Sequence, residues 1–128
     1  MMKRQVIKVP GVAHYSPIPL GARVGNLLCS SGIMGMRPET GDFPAEAAQQ
    51  VEQAFKNLRS FLEQAGATPE NIVDLEVYVR DQEYMKHVNV EWAKMFPDPE
   101  NRPARNTLQA APWRREFFLK VTAVLEDE

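Results

Sequence analysis

A single cysteine, Cys29, stands among the 128 residues. One thiol excludes an intramolecular disulfide and any zinc site built from several cysteines, and it fits a reducing compartment best. Neither sign of charge dominates: 15 basic against 17 acidic residues leave a formal charge of −2. That argues against a polybasic membrane anchor and gives no support to nucleic-acid binding, whose usual mark is a clustered basic face. No apolar run approaches the roughly 20 residues that a membrane-spanning helix needs. The opening stretch, Met1 to Pro10, is basic but lacks an apolar core of signal-peptide length, so a cytoplasmic address is expected. The two histidines, His14 and His87, lie too far apart in the chain to suggest a metal site, and both are expected on loop or helix surface. Repeats, low-complexity blocks and linkers are absent as well. What is left is one domain over residues 1–128, since roughly 100–200 residues make a domain. Its 44% hydrophobic and 25% charged residues are ordinary for a globular chain, and a chain of this size buries about two-thirds of its unfolded surface.

Proline and glycine punctuate three stretches: Pro10 to Gly21, Met34 to Pro44 and Pro97 to Pro103. Between them the hydrophobic spacing is informative. The beginning alternates around Val6, Ile7, Lys8 and Val9 like a short strand. Ala22 to Ser31 fits two short strands hinged at Gly25-Asn26. From Ala45 to Ala65 the apolar residues Ala48, Val51, Ala54, Phe55, Leu58, Phe61, Leu62 and Ala65 form one helical stripe, and Gly66 follows as a C-terminal cap should. Ile72 to Arg80 alternates as a half-buried strand, with Val73, Leu75, Val77 and Val79 on one side. Met85, Val88, Trp92 and Phe96 mark a second helix, over 84–96. Arg105 to Ala110 and Glu116 to Leu125 are the last strands, with Trp113-Arg114-Arg115-Glu116 in a hairpin turn between them. The order β-β-β-α-β-α-β-β predicts an α+β fold: a mixed sheet with two helices on one face. The other face, with Tyr78, Phe118, Lys120, Thr122 and Val124, then meets water or another subunit, and its apolar members favour a homo-oligomer.

Several short motifs in this order resemble the Rid family, the reactive intermediate deaminases also called YjgF-type or endoribonuclease L-PSP proteins. They are Ser16-Pro17, Gly25-Asn26, Ser31-Gly32, Pro38-Glu39-Thr40-Gly41, Gln50 with Asn57, Ala65-Gly66, Val77-Tyr78-Val79-Arg80-Asp81, Val88-Asn89 and Arg102-Pro103-Ala104-Arg105. The resemblance runs from about Pro17 to Val124. It implies a chorismate-mutase-like α+β fold and a homotrimer whose sheets line a central barrel. It also implies small-ligand clefts between adjacent subunits, and hydrolysis of small enamines and imines to keto acid and ammonia without cofactor or metal.

That chemistry needs an anchor for the substrate carboxylate, a placed water and a proton shuttle. Arg105 suits the first role, because a guanidinium grips a carboxylate through two parallel charge-assisted hydrogen bonds, and the resemblance puts the substrate-binding arginine at this Pro-Ala-Arg position. Ser31 and Gly32 match the backbone that approaches the ligand, with Asn89 and Thr107 as further lining residues. Where deaminating members carry a glutamate, this chain has Lys120, and where they carry an aromatic residue after the early proline it has Ile18, which makes the pocket greasier. Lys120 has no acceptor and replaces a carboxylate as base only if its ammonium is discharged. Beside Arg105 it would instead form a pair of cations suited to an acidic ligand; an interface lysine paired with a carboxylate is the simpler alternative. Two readings stay open: an imine or enamine hydrolase, its substrate other than simple 2-aminoacrylate, with Arg105 and Lys120 as catalytic residues, and a non-catalytic metabolite-binding or chaperone-like trimer. An endoribonuclease would need a base–nucleophile constellation that the chain does not offer.

Overall fold

The computed structural model describes residues 2–14, 16–109 and 117–126. Its elements follow the expected order: β1 (Arg4–Ile7), β2 (Gly21–Val24), β3 (Leu27–Ser30), α1 (Ala47–Gln64), β4 (Ile72–Val79), α2 (Met85–Met95), β5 (Ala104–Gln109) and β6 (Phe117–Val124). The six strands form one mixed sheet in the order β1-β2-β3-β6-β4-β5, antiparallel except for the parallel β4–β5 pair. The α+β class is as expected. The expected hairpin between the last two strands is not: β4 lies between β5 and β6. The β4–β5 pair is parallel because α2 provides the crossover that returns the chain to the same end of the sheet. The Trp113-Arg114-Arg115-Glu116 segment lies outside the described residues, as do the ends of the strands expected at Ala110 and Glu116.

The helices cover one sheet face. Phe117, Leu119, Val121 and Ala123 of β6 point into the core with Leu75, Val77 and Val79 of β4, and meet Val51, Phe55, Leu58, Phe61 and Leu62 of α1 and Val88 of α2. Val73 departs from the expected pattern. A bulge between Ile72 and Asp74 leaves it unpaired and 53% exposed, and Ile72 takes the inward position; the extra residue reverses the alternation on its N-terminal side. Ala48, also expected on the buried stripe, lies in the first turn of α1 and faces solvent. At the other end of α1, Gly66 at φ 75° lets the Ala67 amide reach back to the Leu62 carbonyl at 2.8 Å, the glycine-terminated helix stop that the spacing predicts.

Two polar residues of α1 have structural work. Asn57, 1% exposed, donates from Nδ2 to the carbonyls of Met34 and Met36, both at 2.8 Å, and its Oδ1 accepts from Gln53 at 3.0 Å. The extended segment after β3 is thereby fastened to the helix. Gly35 sits so close to the Gln50 carbonyl that a Cβ would strike it. The side-chain contacts account physically for Asn57, while the Gln50 contact involves only its backbone and accounts for Gly35.

Candidate functional site

Arg105 lies on β5, at the edge of the sheet, opposite Leu75 in the parallel register. Its side chain therefore points to the helix-covered side, where α2 runs past. There its Nη2 donates to Asn89 Oδ1 at 2.8 Å, and the guanidinium carbon lies 4.9 Å from the centre of the Trp92 ring. Asn89 and Trp92 are three residues apart on one helix face, so a single helix turn holds the guanidinium both in plane and from below. The Nη1 atom is buried and has no hydrogen-bond partner. Burial pulls Arg105 below the ordinary arginine value, yet a guanidinium stays charged at any physiological pH. A fixed, partly dehydrated cation with an unsatisfied donor is prepared for an anion that brings its own acceptors. The register places Thr107 beside Val77, on the same side as Arg105 and one step along the strand.

The other expected residues gather on the opposite, open face. Val121 N donates to the Ser30 hydroxyl at 2.9 Å in place of a backbone partner, and regular pairing resumes only at the Ile33–Leu119 bridge. Ser31 and Gly32 thus bulge away from β6 near Lys120. The Ser31 amide is held by the Leu20 carbonyl at 2.7 Å, and the Gly32 carbonyl accepts from His14 Nε2 at 2.8 Å. A Cβ on Gly32 would stand 3.0 Å from the Phe118 ring, so the glycine leaves room for that ring as well as for a ligand. Phe118 stacks on Tyr78, with centroids 4.5 Å apart and planes 12° from parallel. Tyr78 donates to Glu76 Oε1 at 2.9 Å, and this bond to the carboxylate, with some desolvation, holds the phenol above its ordinary pKa. Glu76 stands directly opposite Lys120 in the β4–β6 register.

Lys120 is therefore not beside Arg105 in this chain. One strand, β4, separates them, and the side chains leave opposite faces of the sheet, because Arg105 follows Leu75 inward while Lys120 follows Glu76 outward. Ile18 lies apart from both, 48% exposed, in a cleft of about 470 Å³ with Val9, Pro10, Leu20 and Gln64. Sequence reasoning used Trp92 only as a mark of the second helix; the residue packs against the core and also lies under Arg105. It missed His14, half-buried against Gly32 rather than on open surface. The three-residue spacing of Asn89 and Trp92 was the signal for the first; nothing local marks the second. Among the described residues, no three His, Cys, Asp or Glu side chains are grouped to hold a metal ion.

A mixed six-stranded sheet backed by two helices places the chain in the YjgF-like class of α+β domains. The chain belongs to the Endoribonuclease L-PSP family, whose pattern matches residues 7–124. It is 36% identical over 114 residues to Reactive Intermediate Deaminase A, chloroplastic, of Arabidopsis thaliana, covering 86% of this chain and 59% of that one. It is 27% identical over 124 residues to the 2-iminobutanoate/2-iminopropanoate deaminase of Escherichia coli K12, covering 96% and 97%. The crystal structure of the YjgF gene product of E. coli superposes with a TM-score of 0.82 at 27% identity, over 94% of this chain and 98% of that one.

Proposed function

We propose that this protein hydrolyses small imines or enamines that carry a carboxylate, releasing the keto acid and ammonia, in clefts between copies assembled as a homotrimer. The observation that carries the reading is the Arg105 guanidinium, fixed by Asn89 and Trp92 with its Nη1 buried and unpartnered. A ligand carboxylate satisfies that donor and neutralises the charge at once. The relatives named as deaminases support the same chemistry.

Two features support a site shared between copies. Arg105 and the Ser31–Gly32 bulge face opposite sides of one sheet, so one small ligand touches both only if they come from two chains. The open face also carries an aligned apolar row, Val24, Leu27 and Val124, at 39%, 50% and 47% exposure, which a second copy would cover. Lys120, Ser31 and Gly32 then form one wall, and Arg105, Asn89 and Thr107 of the neighbouring copy the other. Ile18 stands further out on its loop. Nothing in this chemistry calls for a cofactor, a nucleic acid or a membrane.

Titration of 2-oxobutyrate and pyruvate against wild type and Arg105→Ala, with hydrolysis of the matching imines measured on both, tests the reading. Wild type should bind and turn over, and the variant should do neither well; equal affinities would remove the anchor. The non-catalytic reading rests on Lys120, a cation with no acceptor on the open wall. It is favoured if wild type binds the keto acids but leaves the imines at their spontaneous rate.

A further inference from the structure

Hydrolysis of an imine needs a group that accepts a proton from the attacking water, and neither Arg105 nor Lys120 has an acceptor. The six strands contain two carboxylates, Asp74 and Glu76, both on the open face of β4. They are not equivalent. Asp74 lies opposite Thr122, one row further from the Ser31–Gly32 bulge, and among the described residues no side chain is hydrogen-bonded to it. Glu76 lies opposite Lys120, where cross-strand Cβ atoms are about 5 Å apart. Its Oε1 is taken by the Tyr78 hydroxyl at 2.9 Å, and Tyr78 is braced through its stack on Phe118, the ring that abuts Gly32. A continuous line of contacts thus runs from the glycine bulge to one oxygen of Glu76, and among the described residues nothing is hydrogen-bonded to Oε2. Lys120 sits between, within two strand spacings of about 4.8 Å each.

Building on the hydrolase reading above, we propose that Glu76 is the proton-accepting group of this site, with Tyr78 and Lys120 as its positioning residues. Water attacks the carbon of the protonated imine while one of its protons passes to Glu76 Oε2. The C–O bond forms, and the C=N π pair moves to nitrogen. The proton then goes from Glu76 to the amine, and the C–N bond breaks as the hydroxyl oxygen closes the new C=O bond. The hydroxyl proton returns to Glu76 and leaves with solvent, so the products are keto acid and ammonia, and no oxidant or reductant takes part. The charged or titratable groups facing Glu76 are Asp74 and Tyr78 along β4 and Lys120 across on β6, while β5 presents the neutral Asn106. Lys120 has no ion-pair partner within 4.0 Å among the described residues, which leaves its ammonium free to hold the water or the developing hydroxyl.

The test is Glu76→Gln, assayed on 2-iminobutanoate generated in situ from the amino acid by a flavoprotein oxidase. Binding of 2-oxobutyrate and sedimentation are measured on the same preparations. A general base contributes about 10²–10⁴-fold, so kcat should fall at least 100-fold with KM and keto-acid affinity unchanged, and the acid limb of the kcat/KM profile should disappear. A kcat within threefold of wild type overturns the proposal, and so does a parallel loss of ligand affinity, which would make Glu76 a wall of the pocket. If Glu76→Gln does not fold, Tyr78→Phe decides: the carboxylate stays but loses its brace, and kcat should drop about tenfold at constant KM. An unchanged Tyr78→Phe then refutes the assignment. A wild type that binds 2-oxobutyrate yet hydrolyses no imine overturns the hydrolase reading itself, a result distinct from an active wild type with an active Glu76→Gln.

Discussion

Replacing Arg105 by methionine should separate what the residue does for the fold from what it does for a ligand. In the free chain the guanidinium donates one charge-assisted hydrogen bond to Asn89 and makes a ring contact with Trp92, about 1.5–3 and 0.5–1 kcal/mol. Against these stands the buried, unpartnered Nη1, which costs about 1–3 kcal/mol. The terms nearly cancel. Methionine keeps a similar reach, packs its sulfur on Trp92 and leaves no orphan donor, while the exposed Asn89 turns to water. The free variant should therefore unfold within about 1 kcal/mol of wild type, a midpoint change of roughly 3–5 °C at most. Ligand binding behaves differently. Losing a two-pronged grip on a carboxylate removes about 3 kcal/mol, or roughly 150-fold in affinity. At ten times its dissociation constant, 2-oxobutyrate should stabilise wild type by about 1.4 kcal/mol and leave the variant's midpoint where it was. Thermal unfolding with and without 2-oxobutyrate reads both quantities. A midpoint that drops by about 10 °C without ligand, or a ligand shift that survives the substitution, would show that Arg105 is a structural residue.

Asn57→Ala strips donors from the Met34 and Met36 carbonyls and should cost about 2–4 kcal/mol, read as a lower urea midpoint at unchanged m-value. Leu27→Asp puts a charge into the exposed apolar row without touching the core; sedimentation should show dissociation of the assembly, with native circular dichroism retained. Lys120→Glu sets a second carboxylate directly opposite Glu76, so the variant should lose about 0.5–1 kcal/mol at neutral pH. That loss should shrink as salt is raised, because the repulsion is screened; a loss unchanged by salt would contradict the register.

Much of the fold was legible because its signals are local. The α1 stripe, the Gly66 stop and the inward residues Phe117, Leu119, Val121 and Ala123 of β6 follow from spacing alone. The bulge that turns Val73 outward did not show, since it depends on how β4 registers against β6, a strand distant in the chain. The same distinction governs the site. Arg105 and Asn89 were singled out through their motifs, and the structure brings the two into contact, but the separation of Arg105 from Lys120 by sheet face needs the parallel β4–β5 register. Sequence spacing tells the side of a strand only relative to its own neighbours. Glu76 stayed unremarked for the same reason: on its strand it is one more outward residue, and only the pairing with Lys120 gives it a neighbour.

If the ligand is gripped by Arg105 of one copy and lies on the Ser31–Gly32 bulge of the next, binding and assembly are one equilibrium. A ligand that binds only the assembled form stabilises it by RT ln(1 + [L]/Kd) at each site, about 2.7 kcal/mol at a hundredfold excess over Kd. Three such sites in the proposed trimer add about 8 kcal/mol to association. Dilution in the presence of 2-oxobutyrate should thus require far lower protein concentrations to break the assembly, and Arg105→Met should erase that difference while leaving the ligand-free association as in wild type. The apolar row Val24, Leu27 and Val124 lies on the other end of the face from Phe118, so it can hold the copies together without the ligand. A ligand that binds tightly but leaves the association unchanged would place Arg105 and its carboxylate within a single chain, and the two-wall site would have to be abandoned.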